Sequence, residues 1–460
     1  MSNSKINRTN QIVKDFQEKM DYDELMNCMR CGFCLPSCPT YRETGGNEAA
    51  SPRGRIAMMK AVVDGKMTPD EDFEKQLSLC LGCRACEPAC PPGVKYGHLL
   101  EDAVDILQKN KKQSSSVKFL RGFLFDHLFP KKSNMITFTG LMWFYQKSGI
   151  QKFARATKLT RLVGKQMSAM ERVLPDLPSP KQMKNRPTYV QPEGEVKKRV
   201  AFFSNCMMDT LFLDTNDSTL FLLKKAKCEV VIPEDQTCCG AILAHSGEKD
   251  KAKELAKKNI EAFEKENVDY IISNAGGCGA LLAEYDHLLK DELDWLPRAK
   301  AFVRKVKDIS EILYAVGLPE MELPPQIITY QDSCHLRNVM KTAAAPRKLL
   351  QSIKGVAYKE MVEADRCCGS AGTYNIIEQE MSMQILDHKM VKVLDTKATT
   401  IVTANPGCLL QMKLGIDREG YSNTMRGVHI VDLLAEAIKF SEEQKKNVLD
   451  KEGKKQPVNT

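Results

Sequence analysis

No run in the 460 residues approaches the roughly 20 consecutive apolar positions that a helix needs to cross a bilayer. The opening stretch, Met1 to Asp21, is polar and lacks the apolar core of a secretory signal, so the chain is expected to stay in the cytoplasm. No Gly-x-Gly-x-x-Gly loop is present to cradle a dinucleotide. No acid–base pair stands out beside a recognisable pocket either, and substrate chemistry by this chain alone is not expected. Residues 108–196 contain no cysteine at all. That gap matters because the rest of the chain is rich in it.

There are 17 cysteines, many for a chain with no export signal, and they cluster in triplets spaced two apart and in adjacent pairs. Adjacent cysteines rarely bond to one another, whereas thiolates converging on a metal suit such spacing, so metal or cluster binding is favoured over disulfides. With 43% apolar and 27% charged residues the chain reads as globular, and its length argues for two or three domains. The net charge of +8 is read as a mildly basic surface, with Lys and Arg mixed among Asp and Glu, and no nucleic-acid partner is expected.

Four regions follow. Residues 22–107 hold eight cysteines between short helical stretches, Ala57–Val63 and Asp72–Ser78 among them, and 108–196 form a basic, aromatic, helical linker. Residues 197–315 and 325–440 repeat one another, and the charged tail from Ser441 is expected to fray. In the first copy Arg199-Val-Ala-Phe-Phe-Ser-Asn-Cys206 is followed by Cys238-Cys239-Gly240 and Ile271-Ile-Ser-Asn-Ala-Gly-Gly-Cys278. In the second, Gln326-Ile-Ile-Thr-Tyr-Gln-Asp-Ser-Cys334 is followed by Cys367-Cys368-Gly369 and Ile401-Val-Thr-Ala-Asn-Pro-Gly-Cys408, about 130 residues on. Each copy alternates β-rich runs with helical segments such as Glu248–Glu266, which implies parallel sheets with sites at the strands' carboxyl ends. Three separated segments then deliver four thiols to one end of each sheet.

Cys28-x2-Cys31-x2-Cys34-x3-Cys38-Pro39 and Cys80-x2-Cys83-x2-Cys86-x3-Cys90-Pro91 both resemble the bacterial ferredoxin run. A cysteine at every third position wraps three corners of a cube, and Cys-Pro turns the last thiol away from its own triplet. Zinc sites use paired spacing and fit a complete doubled run poorly. The resemblance implies two [4Fe-4S] clusters, one on Cys28, Cys31, Cys34 and Cys90, the other on Cys80, Cys83, Cys86 and Cys38. The helices between the groups suit an α-helical ferredoxin module better than the compact β-rich kind.

The spacing around Cys238-Cys239-Gly240 and Cys367-Cys368-Gly369 resembles the cysteine-rich CCG domain. A ferredoxin module fused to two such domains is similar to the glycolate oxidase iron–sulfur subunit family, with relatives in anaerobic glycerol-3-phosphate dehydrogenase and heterodisulfide reductase. Ser51-Pro-Arg-Gly-Arg-Ile56 and Cys367-Cys-Gly-Ser-Ala-Gly-Thr-Tyr374 look closest to the glycolate oxidase subunit. The resemblance implies a multi-domain chain: an α-helical ferredoxin module, a helical linker region and two repeated α/β CCG domains with parallel sheets. It implies electron relay from FAD-containing dehydrogenase subunits in a hetero-oligomer to quinone or another acceptor. The alternatives are a D-lactate or glycerol-3-phosphate dehydrogenase subunit, or a heterodisulfide reductase-like thiol/disulfide enzyme. The fuller CCG pattern ends in Cys-x-x-Cys, but here Cys278-Gly-Ala-Leu281 and Cys408-Leu-Leu-Gln411 lack that last thiol. The tetrads Cys206, Cys238, Cys239, Cys278 and Cys334, Cys367, Cys368, Cys408 thus leave open a further cluster, a zinc, an internal redox pair or nothing. His335 is read either as a partner of the second tetrad or as a structural histidine, and Cys228 as an inert core thiol.

Residues 117–165 interleave Phe119, Phe123, Phe125, Phe129, Phe138, Trp143, Phe144, Tyr145 and Phe153 with Lys118, Arg121, Lys131, Lys132, Lys147, Lys152, Arg155, Lys158, Arg161 and Lys165. A helical layer docking the ferredoxin module on its neighbours is the favoured reading. Peripheral association with the inner face of the cell membrane is the other.

Overall fold

The computed structural model describes residues 3–157, 159 and 164–453. No strand precedes Tyr189 among them. Helix Pro52–Val63 begins where Ser51 Oγ accepts from the Gly54 N–H at 3.0 Å, with Pro52 pre-set for the first turn. Asp70 caps helix Glu71–Ser78, whose first-turn acids Glu71, Asp72 and Glu74 complement its positive end. Helix Asn3–Lys19 closes over this pair and over helix Tyr96–Asn110. Ile12, Phe16 and Met20 meet Met59, Val62, Phe73, Leu77, Leu99 and Ile106 in one core. Both cysteine groups lie on loops at the edge of that core, in an α-helical module.

The linker runs through helix Ser115–Gly122, a π-helical turn Phe123–Leu128, and helices Lys132–Lys147, Ile150–Ala156 and Lys165–Val173. Lys158 and Arg161 lie outside the described residues, as does the side chain of Lys165. No described helix is long and apolar enough to cross a membrane.

The first sheet comprises β1 (Tyr189–Val190), β2 (Lys198–Phe203), β3 (Cys228–Val231), β4 (Tyr270–Ser273) and β5 (Val306–Asp308), in the order β1-β3-β2-β4-β5. The second comprises β6 (Glu322–Gln331), β7 (Lys354–Tyr358), β8 (Thr400–Thr403) and β9 (Arg426–His429), in the order β7-β6-β8-β9. All pairs are parallel except β1 with β3, a two-residue antiparallel edge drawn from the chain before residue 197. Apart from β1 the two orders coincide, which is the internal repeat in three dimensions. Pro324 and Pro325 have no N–H to donate, and the β6–β7 register breaks between Glu322 and Gln326 around them. Val200–Phe203 and Thr400–Thr403 are buried on both faces, as parallel strands covered by helices must be.

The repeats share one core. Val200, Phe202 and Ile272 of the first sheet and Ile328, Tyr330 and Val402 of the second belong to a single buried cluster. Helix Ile430–Gly453, which follows β9, packs on helix Leu213–Lys225 of the first repeat. The chain from Ser441 therefore continues a helix rather than fraying there, and Ser441 itself is buried.

Candidate metal centres

The two cysteine loops of the helical module have matching backbones. Arg30 and Gly82 sit at φ +55° and +62°, and Gly32 and Arg84 at +90° and +58°. Left-handed residues at these two positions curl each triplet into a concave ring of amides, a shape that attracts negative charge. The Gly82 N–H donates to Cys80 Sγ at 3.4 Å. At Gly32 a Cβ would lie 2.8 Å from Arg53 Nη1, and Arg53 in turn donates to the Arg30 carbonyl at 2.9 Å.

A pocket of about 400 Å³ is lined by Cys28, Cys31 and Cys34 together with Cys90. A second, of about 290 Å³, is lined by Cys80, Cys83 and Cys86 together with Cys38. Cys86 also borders the first pocket. The last cysteine of each run thus reaches the other run's cavity. Every one of the eight thiols is free of disulfide bonding. Soft sulfur donors converging from two separate runs on one opening suit a polynuclear iron–sulfur group. Burial pushes the Cys34 thiol up to about 11 and the Cys83 and Cys86 thiols well above the ordinary value, so these groups keep their protons until a metal displaces them.

Two residues beside the second cavity were not singled out by sequence reasoning. Arg55 is fully buried and donates to the Gln76 carbonyl at 2.6 Å and to Thr40 Oγ1 at 3.1 Å. Burial disfavours its charge, but Tyr96, Cys80 and Cys38 more than compensate and hold its pKa above that of a free arginine. It is a buried cation facing the thiols of Cys38 and Cys80. Tyr96 donates to Cys80 Sγ at 3.5 Å. The only sequence signal for Arg55 was its place in Ser51-Pro-Arg-Gly-Arg-Ile56.

In each repeat the strand order places the switch in direction between the first and third parallel strands, where α/β folds open a crevice. Cys206 follows β2, Cys238 and Cys239 follow β3, and Cys278 lies in the helix after β4. Their thiols form a hydrogen-bonded chain Cys206–Cys238–Cys239–Cys278, with Cys206 Sγ 3.5 Å from Cys238 Sγ. Hydrogen bonds from Cys206 and Cys239 hold the Cys238 thiol below the ordinary range. The second repeat matches it with Cys334–Cys367–Cys368–Cys408. Gly240 and Gly369, at φ +87° and +88°, turn the chain sharply after each double cysteine. His335 Nδ1 lies 3.4 Å from Cys334 Sγ, while its Nε2 is buried without a partner; burial holds its pKa down to about 3, so the ring is neutral. Lys389, buried beside the second tetrad and also absent from the sequence reading, donates to the Glu363 carbonyl at 2.6 Å. Burial lowers its pKa to about 8, partly offset by Cys368 and Cys367. Cys228 is a core thiol of the shared cluster, away from both tetrads.

The second cysteine loop is clamped between the repeats. Cys83 packs with Cys367 and Cys334 in one buried cluster with Leu81 and Tyr374. The Tyr374 hydroxyl donates to the Leu79 carbonyl at 2.9 Å, and Asn338 Nδ2 to the Cys83 carbonyl at 2.9 Å. From the first repeat, Glu284 pairs with Arg84 and lies 3.0 Å from His98 Nε2. Of the two tetrads, the second thus shares a core with a cysteine of the helical module. The repeats themselves meet at their strand ends, where the Gly276 N–H donates to the Ala404 carbonyl at 3.1 Å and the Gly277 N–H to Asn405 Oδ1 at 3.0 Å.

Comparison with known proteins agrees with this anatomy. Residues 24–94 match the 4Fe-4S dicluster domain, 116–174 the linker region of the glycolate oxidase iron–sulfur subunit, and 200–283 and 328–413 the cysteine-rich domain. The "Probable glycolate oxidase iron-sulfur subunit" of Bacillus subtilis is 59% identical over 430 residues, which cover 93% of this chain and 97% of that one. The glycolate oxidase iron–sulfur subunit of Escherichia coli is 29% identical over 390 residues, 84% of this chain and 88% of that one. Lactate utilization protein A of Exiguobacterium is 32% identical over 243 residues, 52% of this chain and 98% of that one. A helical module with two crossed thiol cavities, a matching linker and a doubled cysteine-rich domain, read with these identities, places the chain in the glycolate oxidase iron–sulfur subunit family.

Proposed function

We propose that Cys28, Cys31, Cys34 and Cys90 hold one [4Fe-4S] cluster and Cys80, Cys83, Cys86 and Cys38 a second, and that the chain relays electrons within a flavoprotein complex oxidising a 2-hydroxy acid of the glycolate type. When bound, the two clusters supply one-electron transfer. The chain's own residues bind, charge-compensate and seal. The left-handed turns at Gly32 and Gly82 curl each loop around its thiols, Arg55 offsets their charge, the second repeat packs on Cys83, and the first holds Arg84 through Glu284. The observation that carries this reading is the pair of cavities, each lined by one triplet and the fourth cysteine of the other run.

An FAD-containing dehydrogenase subunit is the electron donor in this reading, and quinone or another carrier the acceptor. Lactate as substrate is the second reading, favoured by relatives named lactate utilization protein A that match half of this chain. The tetrads Cys206, Cys238, Cys239, Cys278 and Cys334, Cys367, Cys368, Cys408 are further sites for a cluster or zinc. The second is the better placed to exchange electrons, because Cys83 packs against Cys334 and Cys367. The test is iron content and electron paramagnetic resonance of anaerobically purified protein. About eight irons are expected from two four-iron clusters, and Cys38→Ser should remove the signal of one cluster while leaving the other. Iron near four in the unaltered protein, or an unchanged spectrum in Cys38→Ser, would reject the crossed assignment.

A further inference from the structure

On the crossed assignment of the eight cysteines, on which this rests, we propose that the buried hydroxyls of Tyr96 and Thr40 set the reduction potential of the second centre. Each stands between Arg55 and one of that centre's thiols, and the first centre has no counterpart.

Arg55 lies in helix Pro52–Val63, and its Nε is tied to the Gln76 carbonyl near the end of helix Glu71–Ser78. The rest of the guanidinium borders the second cavity, where Nη2 donates to Thr40 Oγ1 and the Tyr96 hydroxyl faces the same cation. Thr40 follows Cys38 by two residues and holds its Oγ1 3.3 Å from Cys38 Sγ. Tyr96 opens helix Tyr96–Asn110 and donates to Cys80 Sγ. One cation thus reaches one thiol from each cysteine run, through one hydroxyl apiece. Thr40 and Tyr96 are only 1% and 3% exposed, and away from water a hydrogen bond is electrostatically stronger.

A hydroxyl accepts and donates at once, so a cation on its oxygen polarises the proton it gives away. The Thr40 proton has two acceptors within reach, the Ala50 carbonyl at 2.7 Å and Cys38 Sγ. A cysteine that binds metal does so as the thiolate and has no proton to offer, so Thr40 becomes the donor of that contact. Donors to cluster sulfurs favour the reduced, more negative state and raise the potential. In the first cavity the one lining hydroxyl is that of Tyr96, already directed to Cys80. The nearby Arg53 is engaged by Glu48 at 2.6 Å and by the Arg30 carbonyl, and what it offers Cys34 is its backbone N–H.

The test is redox-poised electron paramagnetic resonance of the full, anaerobically purified chain, the second centre being the signal that Cys38→Ser removes. At the poise that half-reduces this centre in the unaltered protein, Tyr96→Phe and Thr40→Val should each lower its ratio of reduced to oxidised about fivefold. The ratio at the first centre should change by less than about twofold, and Thr40→Ser, which keeps the hydroxyl, should restore the unaltered value. In an Arg55→Met background the effect of Tyr96→Phe should shrink to about twofold, because the hydroxyl then passes on no charge. Iron content equal to that of the unaltered protein confirms that each variant is loaded. Tyr96→Phe removes one oxygen and leaves the ring, and it decides alone if Thr40→Val loads less iron. Two signals with the second centre unmoved, or both centres shifting together, would overturn the proposal and leave the cysteine assignment standing. Iron near four in the unaltered protein would remove the assignment and the proposal with it.

Discussion

Glu284→Gln tests how the helical module is held on the first repeat. Glu284 pairs with Arg84, next to the cluster ligand Cys83 in the proposed assignment, and with His98 on the following helix. Although burial opposes its charge, His98 and Arg84 bring its pKa from an ordinary 4.5 down to about 2. That difference corresponds to about 3.4 kcal/mol of interaction specific to the ionised carboxylate. Arg84 keeps Glu87, at 2.8 Å, when Glu284 is neutralised, so the net loss is smaller, about 2 kcal/mol. If loop and helix exchange by undocking from the repeats, hydrogen exchange over residues 80–107 should accelerate about thirtyfold at pH 7. Because the folded pKa is depressed, the stabilisation is fully present above about 4.5 and disappears as pH falls toward 2. The gap between wild type and variant should therefore close with acidification. Exchange within twofold of wild type at pH 7, or a gap that widens in acid, would refute the reasoning.

Arg55→Met removes the buried cation beside Cys38 and Cys80, and the reduction potential of the neighbouring cluster should fall by tens of mV, read by redox-poised electron paramagnetic resonance; an unmoved potential would show that Arg55 only fills space. The twin glycines should differ. Both pay for a left-handed alanine, about 1–2 kcal/mol, but at Gly369 a Cβ would also sit 2.6 Å from the Ser382 carbonyl, whereas at Gly240 the nearest contact is 3.4 Å. Chemical denaturation should show Gly369→Ala losing at least about 3 kcal/mol and Gly240→Ala about half that; equal losses would mean the backbone relaxes at Ser382.

The cysteine runs and the repeat were legible because local spacing determines them. Cysteines three residues apart and a strand ending at each repeated landmark can be read without knowing where distant segments go. The helix starts at Ser51 and Asp70 were equally local, fixed by side chains that cap their own backbone. What long-range contact decides was not legible. Arg55 lies four and seven residues before the buried Met59 and Val62, on the core face of its helix, but its charge argues against burial and only the approach of Cys38, Cys80 and Tyr96 makes that burial tolerable. Tyr189 and Val190 form a strand only because β3 offers them an edge. Helix Ile430–Gly453 runs past Ser441 because it lies on helix Leu213–Lys225, more than 200 residues earlier in sequence.

The clamp on the second cysteine loop has a consequence for the reactivity of the metal-free chain. Cys31 lies open to solvent, whereas Cys83 is buried against Leu81 of its own loop and Cys367 and Tyr374 of the second repeat. A thiol reagent meeting the finished fold would find Cys31 first, and labelling of Cys83 would report the moment the second repeat lets go of the loop.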